Sequence, residues 1–161
     1  MNTNGNRQFE FSGELLRSIF NSVSAHIAIL DESGFILETN QAWKDFSVSN
    51  GLPVSFNFNR MNYLGICEAA GDDGIMDAAA VASGIRQVIN REVDEFLYDY
   101  PCHSPQGPRW FYMRALLMSG DGPLRVIVSH EDITQLKLAQ ESLKKNQQQL
   151  EERNQSLNEL N

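Results

Sequence analysis

The order of elements along this chain of 161 residues predicts an α+β sandwich: a five-stranded antiparallel sheet flanked by short helices, with an amphipathic helix before it and a long coiled-coil helix after it. Three observations carry that prediction. Apolar alternation with period two marks five strands, the last three of them consecutive; apolar residues three and four apart mark helices before and between the strands; and the composition changes abruptly near residue 131. From residue 131 to 161 there is no Gly, Pro or aromatic, whereas every Gly, Pro, Phe, Tyr, Trp and Cys of the chain lies earlier. The chain is therefore expected to divide into a disordered start (1–11), an N-terminal helix (12–23), the sandwich (24–131) and a C-terminal helix (132–161).

The first helix, SGELLRSIFNSV, follows a Ser cap and puts Leu15, Leu16, Ile19, Phe20 and Val23 on one face. HIAIL (26–30), the turn DESG and FILET (35–39) then read as a β-hairpin. NQAWKDFSVSN (40–50) reads as a short helix begun by Asn40 and ended before Gly51. Residues 51–72 are expected to be irregular, with short helical turns around MNYLGICEAA. Asp72 and Asp73 are expected to cap a helix whose Ile75, Ala79, Ala82, Ile85, Val88 and Ile89 face a core. EFLYDYP (95–101), RWFYMRALLM (109–118) and LRVIVSH (124–130) supply the remaining strands, joined by turns rich in Ser, Pro, Gly and Asp.

The tail consists of good helix formers and would reach about 46 Å as one helix, at about 1.5 Å per residue. Leu136, Leu143, Leu150 and Leu157 recur every seven residues, the stripe of a two-stranded coiled coil. The second seam position is poor: Ala139, Asn146, Arg153 and Leu160 in one phase, Gln140, Gln147, Asn154 and Asn161 in the other. Such a coil needs help from its neighbours, and a solvated single helix is the alternative. Asp132 followed by Gln135 reads as a capping box. The helix reaches Asn161 without a cap or breaker, as expected where a chain continues into a further module.

Thirteen basic against twenty-one acidic residues leave a net charge of −8, which repels nucleic acid phosphates and anionic lipid head groups. No apolar stretch reaches membrane-spanning length and MNTNGNRQFEF has no signal-peptide core, so a cytoplasmic protein without nucleic acid or membrane partners is expected. Cys67 and Cys102 are too few for a disulfide scaffold or a four-thiolate zinc site, and reduced thiols are expected.

The element order, with ILETNQAW after the hairpin and HEDIT at the root of the last helix, resembles the PAS sensor domain over residues 12–134. The most specific signal is the Asp-Ile-Thr motif, here Asp132, Ile133 and Thr134. NYLGIC, DEFLYDYPCHSP and RWFYM are similar to a bacterial branch that commonly precedes histidine kinase or diguanylate cyclase modules. The resemblance implies a ligand or cofactor between sheet and helices, and a signal that leaves through the helix after the motif.

It also implies which side chains face the pocket. In related flavin-binding light sensors a flavin-contacting glutamine lies two residues before the motif's Asp, at the position of His130 here. Alternation then brings Val126 and Val128 to the inner face. The residue after the strand's Trp touches the ring in those sensors, which makes Phe111, and with it Met113, Ala115 and Leu117, inward-facing. Phe96, Tyr98 and Tyr100 are assigned inward on the strand before. The expected ligand site is thus Tyr98, Tyr100, Phe111, Met113, Val126, Val128 and His130, suited to a small apolar or aromatic ligand. The alternative is a filled core whose histidine and tyrosines bond to backbone. Outward-facing Trp110 and Tyr112 need cover, which the helix 12–23 of the same chain or a dimer mate can supply. Arg109 is the expected partner of Asp132, and the relay set is Arg109, Asp132, Ile133 and Thr134. Dimerisation is expected through Leu15 and Ile19 and through the Leu136, Leu143, Leu150 and Leu157 stripe.

The cofactor stays unnamed. A flavin forming a cysteinyl adduct is disfavoured, because Asn62-Tyr63-Leu64-Gly65 stands where those sensors carry Asn-Cys-Arg-Phe, with Tyr63 in the thiol's place and Cys67 a turn beyond. Haem is disfavoured, because residues 73–92, where many haem-binding relatives carry the axial histidine, hold none; His26, His103 and His130 lie elsewhere, and of these His130 could be recruited. Cys102 and His103 are adjacent on an extended segment and point apart, and Cys67 with them has no diagnostic metal spacing. No phosphate loop, catalytic triad or paired-carboxylate signature occurs, so neither catalytic nor metal residues are assigned and no enzyme is read in this chain. Two classes are left: a small-molecule sensor passing a change into the helical tail and an attached output domain, or a ligand-free interaction and dimerisation module.

Overall fold

The computed structural model describes residues 12–72, 76–102 and 107–159. The expectations for residues 1–11, Asp73, Ile75, His103, Leu160 and Asn161 fall outside the described residues. In chain order the elements are α1 (Gly13–Ser22), β1 (His26–Asp31), β2 (Ile36–Thr39), α2 (Gln41–Ser49), α3 (Tyr63–Asp72), α4 (Met76–Ile89), β3 (Glu95–Pro101), β4 (Trp110–Leu117), β5 (Arg125–Asp132) and α5 (Thr134–Glu159). The strands form one antiparallel sheet in the order β2-β1-β5-β4-β3, so the first strand and the last lie side by side at its centre.

The core follows from strand alternation. Ala28, Leu30, Phe111, Met113, Ala115, Val126 and Val128 are buried on the inner face; all but Phe111 cluster with Val81, Ala82, Ile85 and Val88 of α4, whereas Phe111 meets Phe46 of α2. Ala79, expected in this core, is exposed; the helix is rotated so that Val81 takes the inward place. Gly84 is required where α4 crosses β3, since a Cβ there would lie 2.3 Å from the Phe96 ring.

Local signals explain the other elements. Ser12 caps α1 by accepting the Leu15 N–H at 3.2 Å. Asn40 is fully buried: its Oδ1 accepts from Ile27 and Trp43 backbone N–H groups, and its Nδ2 donates to the carbonyls of Phe20, Val23 and Ala25. One side chain thereby ties α1, β1 and α2 together. In the hairpin turn Asp31 accepts the N–H groups of Ser33 and Phe35, and Gly34 adopts φ +83°.

Four expectations need correction. Residues 63–72 are a full helix of ten residues rather than separate turns, because Asn62 Oδ1 accepts the Gly65 N–H and starts it. Asp72, expected at the start of α4, is the last residue of α3. The last strand runs through Asp132, so the C-terminal helix begins at Thr134, and the Asp132 carboxylate accepts the Thr134 N–H at 2.9 Å rather than forming a capping box with Gln135. Finally, α1 packs on α2 and walls a cleft with Ile29 and Glu38, at the β1–β2 end of the sheet. It does not cover Trp110 and Tyr112 of its own chain; both are half-buried, and it is α5 that packs on β4.

Candidate functional site

Alternation on β5 points Val126, Val128 and His130 inward, and the register sets His130 opposite His26 on β1 and Met113 on β4. An inward histidine needs partners for two ring nitrogens. Tyr63 Oη lies 3.0 Å from Nε2, and Tyr100 Oη lies 3.0 Å from Nδ1. The hairpin turn delivers Tyr63: the Gly34 carbonyl accepts the Tyr63 N–H at 2.9 Å, holding the start of α3 against β2. No larger residue fits at Gly34, where a Cβ would come within 2.4 Å of Leu64 Cβ. Tyr100 arrives from β3, at the end of a ladder of rings made by Phe96, Tyr98, Tyr100 and Phe111.

Burial keeps this cluster uncharged. It brings the His130 pKa down to about 4, with neighbouring His26 adding to the effect. Burial also pushes the Tyr63 and Tyr100 hydroxyls above the usual tyrosine range, and the Cys67 thiol above its own. At neutral pH His130 is therefore a neutral imidazole, donating to one hydroxyl and accepting from the other.

Two cavities flank the cluster, and Tyr63, Tyr100, Cys102 and His130 line both. One, of about 190 Å³, is completed by His26, Trp43, Phe46, Ser47 and Phe111. The other, of about 260 Å³, is completed by Cys67, Asp77, Ala78, Val81 and Pro101. Each is below the roughly 300–1,000 Å³ of common ligand pockets and suits a single-ring molecule rather than a haem or a whole flavin. Haem ligation through His130 would also have to break one of its tyrosine bonds.

Of the residues expected to form the ligand site, Tyr100, Phe111 and His130 line these cavities. Met113, Val126 and Val128 are fully buried and line neither. Tyr98 lines neither and donates its hydroxyl to Asp77 Oδ1 at 2.8 Å, which raises its pKa. The alternative of a histidine bonded to backbone does not describe His130, whose partners are side chains. Sequence reasoning missed His26, Trp43, Phe46 and Tyr63 as wall residues. Strand parity could have found His26, two residues before the buried Ala28 on β1, and the correspondence of Tyr63 with the adduct-forming thiol pointed to the pocket.

From this site a path of contacts reaches α5. The Arg109 guanidinium lies over the rings of Phe46 (5.6 Å) and Phe111 (5.3 Å) and 3.5 Å from Asp132 Oδ2. Burial works to raise the Asp132 pKa, but the bonds from Thr134 and the guanidinium outweigh it and hold the carboxyl below its usual value. The Trp110 N–H donates to Thr134 Oγ1 at 3.1 Å, and the Ile133 N–H donates to the Trp110 carbonyl at 2.9 Å. Lys137, one turn into α5, reaches Asp99 on β3 at 2.6 Å and lowers its pKa. Leu136 in that turn and Leu143, Leu150 and Leu157 beyond it are each more than half exposed, and Leu15 and Ile19 on α1 nearly so. Among the described residues no helix is long and apolar enough to cross a membrane.

No family model matches the chain. A protein of 104.1 kDa from the hypE 3′ region of Rhodobacter capsulatus is 38% identical over 125 residues, covering 75% of this chain and 13% of that protein. The chain thus spans about an eighth of this curated relative. An RNA-binding light-oxygen-voltage receptor superposes with a TM-score of 0.57 at 13% identity, covering 92% of this chain and 40% of that one. The phage VqmA–DPO complex gives 0.54 at 15% identity, covering 83% and 58%. The PAS domain of Bordetella pertussis BvgS gives 0.49 at 20% identity, covering 83% and 96%.

Proposed function

The chain has the PAS fold, and we propose that it is a sensory domain that perceives a small molecule between sheet and helices and relays the change through α5 to an output module. One observation carries this reading: β5 holds His130 inside the sandwich and, two residues on, Asp132 at the root of α5, so no flexible connection intervenes. The output module is of the histidine kinase or diguanylate cyclase kind that commonly follows such domains. A match to 13% of a much larger relative is in keeping with one module among several. The chain itself is read as non-enzymatic, cytoplasmic, homodimeric through α1 and α5, and without a nucleic acid or membrane partner.

The exposed heptad leucines favour a second reading, a ligand-free dimerisation module that sets the spacing of an attached enzyme. The two readings separate in one assay on purified protein. Mass spectrometry for co-purified small molecules and a thermal-shift screen over metabolites should give a hit for a sensor. Ligand at about 100 times its Kd stabilises by roughly 2.7 kcal/mol, a shift of several degrees for a domain of this size. A flat screen with no co-purified molecule supports the dimerisation module.

A further inference from the structure

We infer that the ligand site is the cavity of about 190 Å³ beside His26, and that its occupant is a small uncharged aromatic ring bearing a hydrogen-bonding heteroatom. This rests on the sensory reading and specifies the ligand. Size sets the first limit: an apolar cavity of about 150 Å³ accepts benzene, so this one holds one ring or a compact fused pair. Shape sets the second. Trp43, Phe46, Tyr63, Tyr100 and Phe111 line it, and the His26 ring already stacks on Phe46 at 4.4 Å and 22°, so the walls present ring faces and edges to a planar guest.

Charge sets the third. Among the described residues the lining has no carboxylate, lysine or arginine, and both histidines have lowered pKa values. Arg109, whose guanidinium lies over the Phe46 and Phe111 rings, already faces Asp132. An anionic or cationic guest would lose hydration with no free counter-charge. Chemistry sets the fourth: His26 Nδ1 is buried and has no hydrogen-bond partner among the described residues. A buried polar atom of that kind is costly; Nδ1 is closed off from the empty cavity that its ring lines, and a turn of the His26 ring on binding would bring it to a guest heteroatom that satisfies it. Met113, Val126 and Val128 take no part, so the site lies toward α2 and β1 rather than beneath α4.

The probes are benzimidazole, indole, benzoate and benzylamine, titrated into the whole chain at pH 7.5 and followed by calorimetry and by the imidazole NMR signals of His26. Benzimidazole should bind and shift those signals, and benzoate and benzylamine should bind at least tenfold more weakly. His26→Phe keeps a ring on Phe46 but removes the nitrogen, and should weaken benzimidazole about three- to tenfold. Ser47→Leu narrows the cavity from the surface of α2 and should abolish binding with the thermal melt retained. No binding by any probe at millimolar concentration, equal binding of benzoate, or benzimidazole binding indifferent to both substitutions would each overturn the assignment. A hit from another chemical class in the metabolite screen would still leave the sensory reading standing.

Discussion

The hydroxyl of Tyr63, the first residue of α3, meets Nε2 of His130 on β5 across 67 positions of sequence at 3.0 Å. This bond joins the helical layer to the central strand that runs into α5. It also forms part of the wall between two cavities, so it stands where a change of occupancy in either would be felt.

Tyr63→Phe leaves Nε2 of His130 buried without its partner. The expected cost is about 1–3 kcal/mol, read by urea denaturation, with Tyr100→Phe behaving alike at Nδ1. A double-mutant cycle of Tyr63→Phe with His130→Gln should give a coupling above about 0.5 kcal/mol. Additive effects would show that the contact contributes nothing.

Stability should fall as the medium is acidified from pH 7 to 5. The folded His130 has a pKa near 4 against 6.5 when unfolded, so between these values the unfolded chain binds the extra proton. Stability is complete above pH 6.5 and declines toward pH 4, by roughly 2 kcal/mol at pH 5. His26, also lowered, acts in the same direction, whereas Tyr63 and Tyr100 stay neutral throughout. His130→Gln should remove most of the slope. A wild-type protein equally stable at both pH values would mean that His130 is open to water.

Asp132→Ala removes both the acceptor for the Thr134 N–H and the partner of Arg109. The pair is partly exposed, so the stability cost should stay within about 0.5–2 kcal/mol. In a fusion to an output enzyme the same substitution should uncouple output from stimulus, while Asp132→Asn, which keeps an acceptor for Thr134, should uncouple only in part. Output that still follows the stimulus in Asp132→Ala would remove this residue from the relay.

Leu143→Glu with Leu150→Glu should convert a dimer to a monomer in sedimentation without lowering the melt of the sandwich, since both leucines are about 60% exposed in the isolated chain. A strictly monomeric wild type at high micromolar concentration would dispose of the coiled coil.

Periodicity and composition alone determined the five strands, the hairpin, the capped helices α1 and α2 and the long α5, because each rests on a pattern within a few residues: alternation, a Ser or Asn before an apolar stripe, a stretch without Gly or Pro. Parity, with its phase taken from the resemblance to flavin-binding light sensors, also put His130, Phe111 and Met113 inward together. Which inward residues border empty space was settled only by the tertiary structure. The volume beside a side chain depends on what the opposite layer sends to meet it, and α2 and α3 bring Trp43, Phe46 and Tyr63 to one end of the sheet, whereas α4 fills the other and buries Met113, Val126 and Val128. The same reason explains Tyr98, whose face was foreseen but whose hydroxyl goes to Asp77, a helix residue 21 positions away in sequence.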